Sequence, residues 1–433
     1  MTETVIPIIV ALLYVKLFLF WLWLWQLKEY HAGRFIAHFK EGQAFRKIIS
    51  SLWRLKYPKF TPKTIVILLV GVSLALFMII KGYYFPVFFL IAVIPLLFQI
   101  PTVILRKIYI GKARKKREQF PNLLVVGVTG SYGKTTTKEF LADILSQKFK
   151  VLKTKEHQNS EVGVSNCILQ ELKPEHQVFV CEMGAYNRGG IKLLSSIAKP
   201  NIGILTGINQ QHMATFGSQE NIIKTKYELI ESLPANGVAF FNAKNKHCVE
   251  LYNKTNIKKL LYGQEARFPG EENMLGAMAV AKELGMTDEE ISGAIKGIDA
   301  SLPGAKIQKR EGGFTIIEST YSANPDGVMA ALEYLKKRSG KKILVMPCLI
   351  ELGKASQEVH KRIGRKILEV CDLAIITTKD RFKDIIEGAG GSEKVICIEN
   401  PIGIVQRVRD MAVVGDTVLL EGRVPPSLLL YLL

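Results

Sequence analysis

Hydrophobic positions divide the chain into two unlike parts. Val5 to Leu27 is almost wholly apolar, long enough to span a bilayer core of about 30 Å. Lys16 interrupts the run, and Trp21, Trp23 and Trp25 gather at one end, where indole rings favour the headgroup interface. Thr64 to Ile80 is a second apolar run. Phe85 to Leu105 is a third, broken by Pro86, Pro95 and Pro101. The short link Lys81–Tyr84 makes the last two a tight hairpin, either spanning or re-entrant. Met1 to Thr4 carries no positive charge and no small-residue cleavage site follows, which argues against a cleaved signal peptide. Between the first two runs, "WQLKEYHAGRFIAHFK" reads as an amphipathic helix lying on a membrane surface.

After Pro121 the pattern changes to short buried strands alternating with helices. "NLLVVGVTG", "VFVCEMGA", "NIGILTGI" and "GVAFFNAK" read as strands, and "EENMLGAMAVAKELGM" as a helix with a glycine stop. Beyond a linker near Asp299–Ala305, "FTIIEST", "KKILVMPC", "LAIITT", "KVICIE" and "DTVLLEG" give five strands of a smaller domain. Such alternation predicts parallel sheets covered by helices. The expected division is a membrane region at 1–120, a nucleotide-binding domain at 121–300 and a C-terminal α/β domain at 301–433.

Charge sharpens the picture of the first part. The chain carries a net +19, and 18 of its Lys and Arg against four acids fall within residues 1–120. Lys28–Lys63 holds nine basic residues against two acids, and Arg106–Arg117 holds seven and no acid. By the positive-inside rule both are cytoplasmic. Three spans then leave everything after Arg106 on the cytoplasmic side of an inner, cytoplasmic membrane, where ATP is found. Basic flanks of this kind suit anionic membrane lipids. No aromatic-interleaved basic stripe points to nucleic acid. The six cysteines show no metal-ligand or CxxC spacing, which fits buried thiols in a reducing compartment.

The chemistry begins at "VGVTGSYGKTTTKEF". Here a strand end, a glycine turn and a helix start follow one another as Thr129-Gly130-Ser131-Tyr132-Gly133-Lys134-Thr135-Thr136. Backbone N–H groups of such a turn suit phosphate oxygens. Lys134 can reach β/γ-phosphates and the Thr135 hydroxyl can ligate Mg²⁺. The strict GxxxxGK[ST] form is not met, because Val128 stands at its first glycine. The TGxxGKTT form resembles the Mur ligase family, and the resemblance runs from Leu123 to near the C-terminus. Within that family the chain is most similar to the MurF branch, which adds D-Ala-D-Ala to a muramyl tripeptide. "HQNSEVGVS", the block from "EMGA" through "QQHMATFGS", "YSANPDG" and "IELGKASQEVHKRIG" carry it in order.

The resemblance implies a fold: a central P-loop ATPase domain and a C-terminal Rossmann-like α/β domain, here preceded by transmembrane helices. It also implies a reaction, in which the γ-phosphate of ATP activates a substrate carboxylate as an acyl phosphate and an amine displaces phosphate. Glu182 is then a Mg²⁺ ligand beside Thr135, His212 a second metal ligand, and Lys226 the lysine that the family carbamylates. Lys134, with Thr129, Gly130, Ser131, Gly133, Thr135 and Thr136, holds phosphates, and Asn273, Asn324 and His360 face the nucleotide, although Asn324 also fits a plain Asn-Pro turn and His360 a helix surface. The acceptor is a muropeptide or a related carboxylate, UDP- or lipid-linked, and the donor an amino acid or dipeptide.

Several positions depart from the family pattern: Gly207, Gly276, Ser319 in the acidic pair Glu318-Ser319, Cys348 and Ala305. The stretch Gly263–Pro269 is short. These departures fall on the adenine and ribose side. At the front, MurF relatives carry a soluble UDP-sugar domain where this chain has apolar runs. The reading is a membrane-anchored amide ligase. Its rivals are a nucleotide-binding scaffold without activity and a Mur-type ligase acting on a different acceptor.

Overall fold

A computed structural model describes residues 2–27, 30, 35, 49, 51–155, 158–210, 213–267, 270–296, 306–309, 313–319, 324–350 and 352–432. The chain forms two compact units, 1–111 and 112–433.

In the first unit, helix Thr2–Leu27 packs on helix Pro62–Ile80. Gly71 makes the crossing possible. A Cβ there would lie 2.3 Å from Phe18 Cε1, and the Gly71 carbonyl accepts the Tyr14 hydroxyl at 3.2 Å. Small residues that let helices approach this closely are typical of membrane bundles. Tyr14, Phe18, Leu22, Ile67, Ala75 and Ile79 fill the contact. Lys16, within the first apolar run, donates to the Ser51 carbonyl at 3.2 Å.

The third run is not one helix. Pro86–Phe89 is a 3-10 turn, Leu90–Leu97 a short helix, and Gln99–Glu118 a longer one, as its prolines lead one to expect. By length and composition Val5–Leu27, Pro62–Ile80 and Pro86–Glu118 could each cross a membrane. Eleven of the sixteen residues of the expected amphipathic segment lie outside the described residues.

The second unit holds two six-stranded sheets. The first is built from β1 (Leu124–Thr129), β2 (Val151–Lys153), β3 (Val178–Glu182), β4 (Ile202–Leu205), β5 (Val238–Asn242) and β6 (Lys258–Tyr262). Its order is β2-β3-β1-β4-β5-β6 and every pairing is parallel. Buried on both faces, these strands read as continuous apolar runs; Val125, Val126 and Val128 of β1 are fully buried. The strand order reverses at β1, between β3 and β4, which opens a crevice at the carboxyl ends of the strands. Helices Lys134–Leu145 and Glu271–Glu283 pack together on one face.

The second sheet comprises β7 (Lys306–Lys309), β8 (Thr315–Ser319), β9 (Lys342–Met346), β10 (Leu373–Ile376), β11 (Val395–Cys397) and β12 (Thr417–Glu421). It runs β11-β10-β9-β12-β8-β7, parallel except for the β7–β8 pair. Helices Pro325–Lys336 and Ser356–Val370 close one side over Ile317, Leu344, Met346 and Leu419.

Arg117 ties the end of helix Gln99–Glu118 to the first sheet's layer. Its buried guanidinium donates to the carbonyls of Ala198, Phe120 and Leu123 at 2.9, 2.6 and 3.0 Å.

Candidate active site

The phosphate loop leaves β1 where the crevice opens. Gly130 has φ +156° and Gly133 φ +76°. A Cβ on Gly130 would lie 2.2 Å from Thr206 Oγ1, and one on Gly133 2.3 Å from Asn273 Oδ1, so glycine is required at both for space and for conformation. Gly133 is the N-cap of helix Lys134–Leu145 and offers no side chain to the helix's first N–H groups. Those donors and the helix dipole are left for an anion.

The loop is pinned from behind. The Thr129 hydroxyl donates to the Met183 carbonyl at 2.8 Å, Ser131 N–H to the Gly207 carbonyl at 2.6 Å, and Asn209 N–H to Ser131 Oγ at 3.2 Å. Asn273 Oδ1 accepts from Thr137 Oγ1 at 3.2 Å. The side chains of Thr129 and Asn273 therefore brace the loop from within the fold, and Thr129 can meet a phosphate only through its backbone.

Four of the residues expected to carry chemistry meet at the open side. Lys134 Nζ rests on the Ser131 carbonyl at 3.1 Å. Burial lowers its pKa, against the pull of Glu182. Thr135 Oγ1 donates to Glu182 Oε2 at 2.9 Å, one helix residue before Thr136. Glu182 ends β3, and Asn159 Nδ2 holds its other oxygen at 2.9 Å. Lys226, on helix Gln219–Glu231, is 2% exposed. Burial, and then the neighbouring Lys134 charge, draw its pKa down from 10.5 to about 7. His212 lies outside the described residues.

Lys138, which sequence reasoning passed over, lies fully buried beneath the loop. Its ammonium is 2.9 Å from Glu139 Oε1 and 3.7 Å from Glu182 Oε2, balanced by charge without a well-aligned hydrogen bond. Its helical spacing four residues after Lys134 was the available signal. Thr135 and Glu182 present hard oxygen donors side by side, a set that suits Mg²⁺, which keeps several waters and needs few protein ligands. Among the described residues no group of three or more His, Cys, Asp or Glu side chains could hold a metal ion.

This geometry matches known proteins. Residues 128–305 fit the model of the Mur ligase middle domain, and 305–424 that of the Mur ligase, glutamate ligase domain. A UDP-N-acetylmuramoyl-tripeptide–D-alanyl-D-alanine ligase from Synechocystis sp. is 30% identical over 336 residues, covering 71% of this chain and 73% of the relative. The chain belongs to the Mur ligase family. It is thereby an ATP-dependent ligase of the MurF-like kind. MurF from Acinetobacter baumannii superimposes with a TM-score of 0.65 at 25% identity, over 73% of this chain and 78% of that one. MurF from Thermotoga maritima in complex with ADP does so at 0.63 and 26%, over 73% and 80%.

Two residues expected at the nucleotide also hold the fold together. Asn324 is the N-cap of helix Pro325–Lys336, accepting from Gly327 N–H at 3.1 Å, and it also accepts from Asn209 Nδ2 at 3.4 Å. The Asn-Pro pair is a helix start here. His360 is fully buried, not on a helix surface. Its Nε2 accepts from Leu349 N–H at 3.0 Å and its Nδ1 donates to the Ser356 carbonyl at 2.6 Å. Burial lowers its pKa, which keeps this tautomer neutral.

Two of the departures from the family pattern have packing causes. A Cβ on Gly207 would lie 2.3 Å from the Tyr132 ring, and one on Gly276 2.7 Å from the Tyr262 ring. Each glycine makes room for a tyrosine. Asn245 Nδ2 donates to the Tyr132 hydroxyl at 3.3 Å, and the Tyr262 hydroxyl donates to the Leu205 carbonyl at 3.0 Å.

Proposed function

We propose that this chain is a membrane-anchored ligase of the MurF type. It joins D-Ala-D-Ala, or a related amine, to the carboxylate of a peptidoglycan precursor. The observation that carries the reading is the convergence of Lys134, Thr135, Glu182 and Lys226 around one helix N-terminus at the crevice.

The chain's groups suit the two steps as follows. A carboxylate oxygen of the acceptor attacks the γ-phosphorus of ATP, ADP leaves, and an acyl phosphate forms. The amine nitrogen then bonds to the acyl carbon, the C–O bond to phosphate breaks, and phosphate departs with one amine proton lost. Loop N–H groups face the phosphates, and Lys134, released from the Ser131 carbonyl, follows the charge that moves in the first step. Thr135 and Glu182 would hold Mg²⁺, whose charge offsets that of the β- and γ-oxygens. Asn159 and Lys138 fix the Glu182 carboxylate.

Carbamate formation needs a neutral amine. A pKa of about 7 leaves roughly half of the Lys226 amines neutral at pH 7, against about one in 3,000 for an ordinary lysine. The carbamate would face a metal as an anion, together with His212.

In this reading 1–120 anchors, 121–300 binds ATP, and 301–433 is the C-terminal α/β domain. In this reading the ligase domains lie on the cytoplasmic face of the inner membrane, which the three apolar helices and their basic flanks support. Confinement there raises the effective concentration of an acceptor held at the same surface. An inactive scaffold is favoured by the departures at Gly207, Gly276, Ser319 and Cys348, and it has no use for a depressed Lys226. Phosphate release with ATP, UDP-linked or lipid-linked acceptors and a panel of amino acids and dipeptides tests the reading. Acceptor-dependent release supports it. Nucleotide binding with no release under any pairing contradicts it.

A further inference from the structure

Glu421 is the last residue of β12, paired in register with Ser319 at the end of β8. It is 2% exposed, and its Oε2 has no hydrogen-bond partner among the described residues. Ser319 bonds to the carboxyl, while burial pushes its pKa up to about 8. An apolar residue would satisfy the fold at such a point, because a carboxyl taken out of water without a counter-charge opposes folding.

Its place in the sheet separates it from the core. Side chains alternate along a strand, so Glu421 shares a face with Leu419 and, across the pair, Ser319 shares one with Ile317. Below them this face is apolar core, and the carboxyl comes at its carboxyl-end rim. The carboxyl ends of a parallel sheet are where ligands bind, and here that rim turns toward the phosphate loop. Beyond β8, Asp326 Oδ2 accepts from Asn209 Nδ2 at 2.7 Å, and Asn209 N–H itself bonds Ser131 of the loop. The chain has Ser319 where the family pattern carries an acid, and the in-register neighbour supplies a carboxyl instead.

We propose that Glu421 receives the ammonium group of the incoming amine donor. The inference rests on the ligase reading above. Of the three substrates in that reading, ATP is an anion that a carboxylate repels, and the acceptor meets the reacting centre through its carboxylate. The donor meets it through an amino group, whose positive charge can compensate a buried, unpartnered carboxyl. An ionised carboxylate is an acceptor only, and an ammonium is its complement in both charge and hydrogen bonding.

The test is steady-state kinetics of the full-length protein with D-Ala-D-Ala as donor, comparing wild type with Glu421→Gln and Glu421→Asp. Loss of a charge-assisted hydrogen bond should raise the donor KM roughly 10- to 100-fold in Glu421→Gln, with KM for ATP and for the acceptor within about threefold. Glu421→Asp should fall between. A dipeptide analogue with hydrogen in place of the amino group should inhibit wild type only weakly.

A folded Glu421→Gln variant with unchanged donor KM overturns the proposal, as does one whose main defect is in KM for ATP. Should Glu421→Gln not fold, the analogue decides on wild type alone: inhibition at concentrations near the donor KM overturns the proposal. Wild type that ligates no donor refutes the ligase reading itself, a result distinct from either of these.

Discussion

Replacing Lys226 by methionine probes the electrostatics of the site without any ligand. Lys226 is 2% exposed, with its pKa drawn from 10.5 to about 7 by burial and by Lys134. That difference corresponds to about 4–5 kcal/mol against the charged form in the folded chain. Methionine keeps the length and loses the charge, so after relaxation the variant should be more stable by about 2–4 kcal/mol at pH 6.5.

The sign follows from proton binding. Between about pH 7 and 10.5 the unfolded chain holds the proton that the folded chain has lost, so wild-type stability rises with pH by about 1.4 kcal/mol per unit. Below pH 7 the penalty is complete, and by pH 10.5 it has gone. The advantage of the variant should therefore shrink as pH rises through this window. All six cysteines lie in the second unit and five are buried, so a thiol-reactive dye reports unfolding of that unit in the detergent-solubilised protein. In CO₂-depleted buffer the variant should melt several degrees higher at pH 6.5 and close to wild type near pH 10. A variant that melts lower at pH 6.5, or whose advantage does not fall with pH, refutes the reasoning.

Lys134→Ala should abolish turnover while leaving the melting temperature near wild type, because its side chain faces ligand; near-normal turnover would remove it from the site. Glu182→Ala should cut activity by roughly 10²- to 10³-fold and raise the Mg²⁺ requirement, as should His212→Ala; a Mg²⁺ titration matching wild type excludes the residue as a ligand. Lys226→Ala should be nearly inactive and partly restored by short-chain carboxylates, and wild type should lose activity when CO₂ is stripped away; finding only a free amine in the active nucleotide-bound state by mass or ¹³C spectroscopy rules the carbamate out. Arg117→Ala should cost about 2–4 kcal/mol, since it removes a buried cation from three carbonyls. A truncated protein beginning at Lys112 should for that reason fold better than one beginning at Glu118, as their melting temperatures would show.

The sequence made the phosphate loop plain because its signal is local: a strand, two glycines and a helix start lie within about fifteen residues. Nine strands were equally plain, being short runs of β-branched and aliphatic residues closed by turns. The three that were missed, Val151–Lys153, Lys258–Tyr262 and Lys306–Lys309, lie at sheet edges and are short or lysine-bearing, so the apolar pattern is weakest there. Glu182 and Lys226 could be reached only through resemblance, since nothing in their own neighbourhoods announces a site. What Asn324 and His360 do within the fold was not legible, for a physical reason. An Asn before Pro caps a helix as readily as it meets a ligand, and whether a histidine is buried and doubly bonded is settled by tertiary packing. Lys138 and Glu421 look like ordinary surface charges in the sequence, and only the fold shows them buried.

The most direct test of the central claim follows an oxygen atom. The acceptor is prepared with ¹⁸O in its terminal carboxylate and incubated with ATP, D-Ala-D-Ala and the full-length protein in liposomes; released phosphate and product are then weighed by mass spectrometry. Activation as an acyl phosphate predicts one ¹⁸O in the phosphate for every amide formed, and none of either with Lys134→Ala. Amide formation with unlabelled phosphate, or ATP binding without any product, would contradict the account.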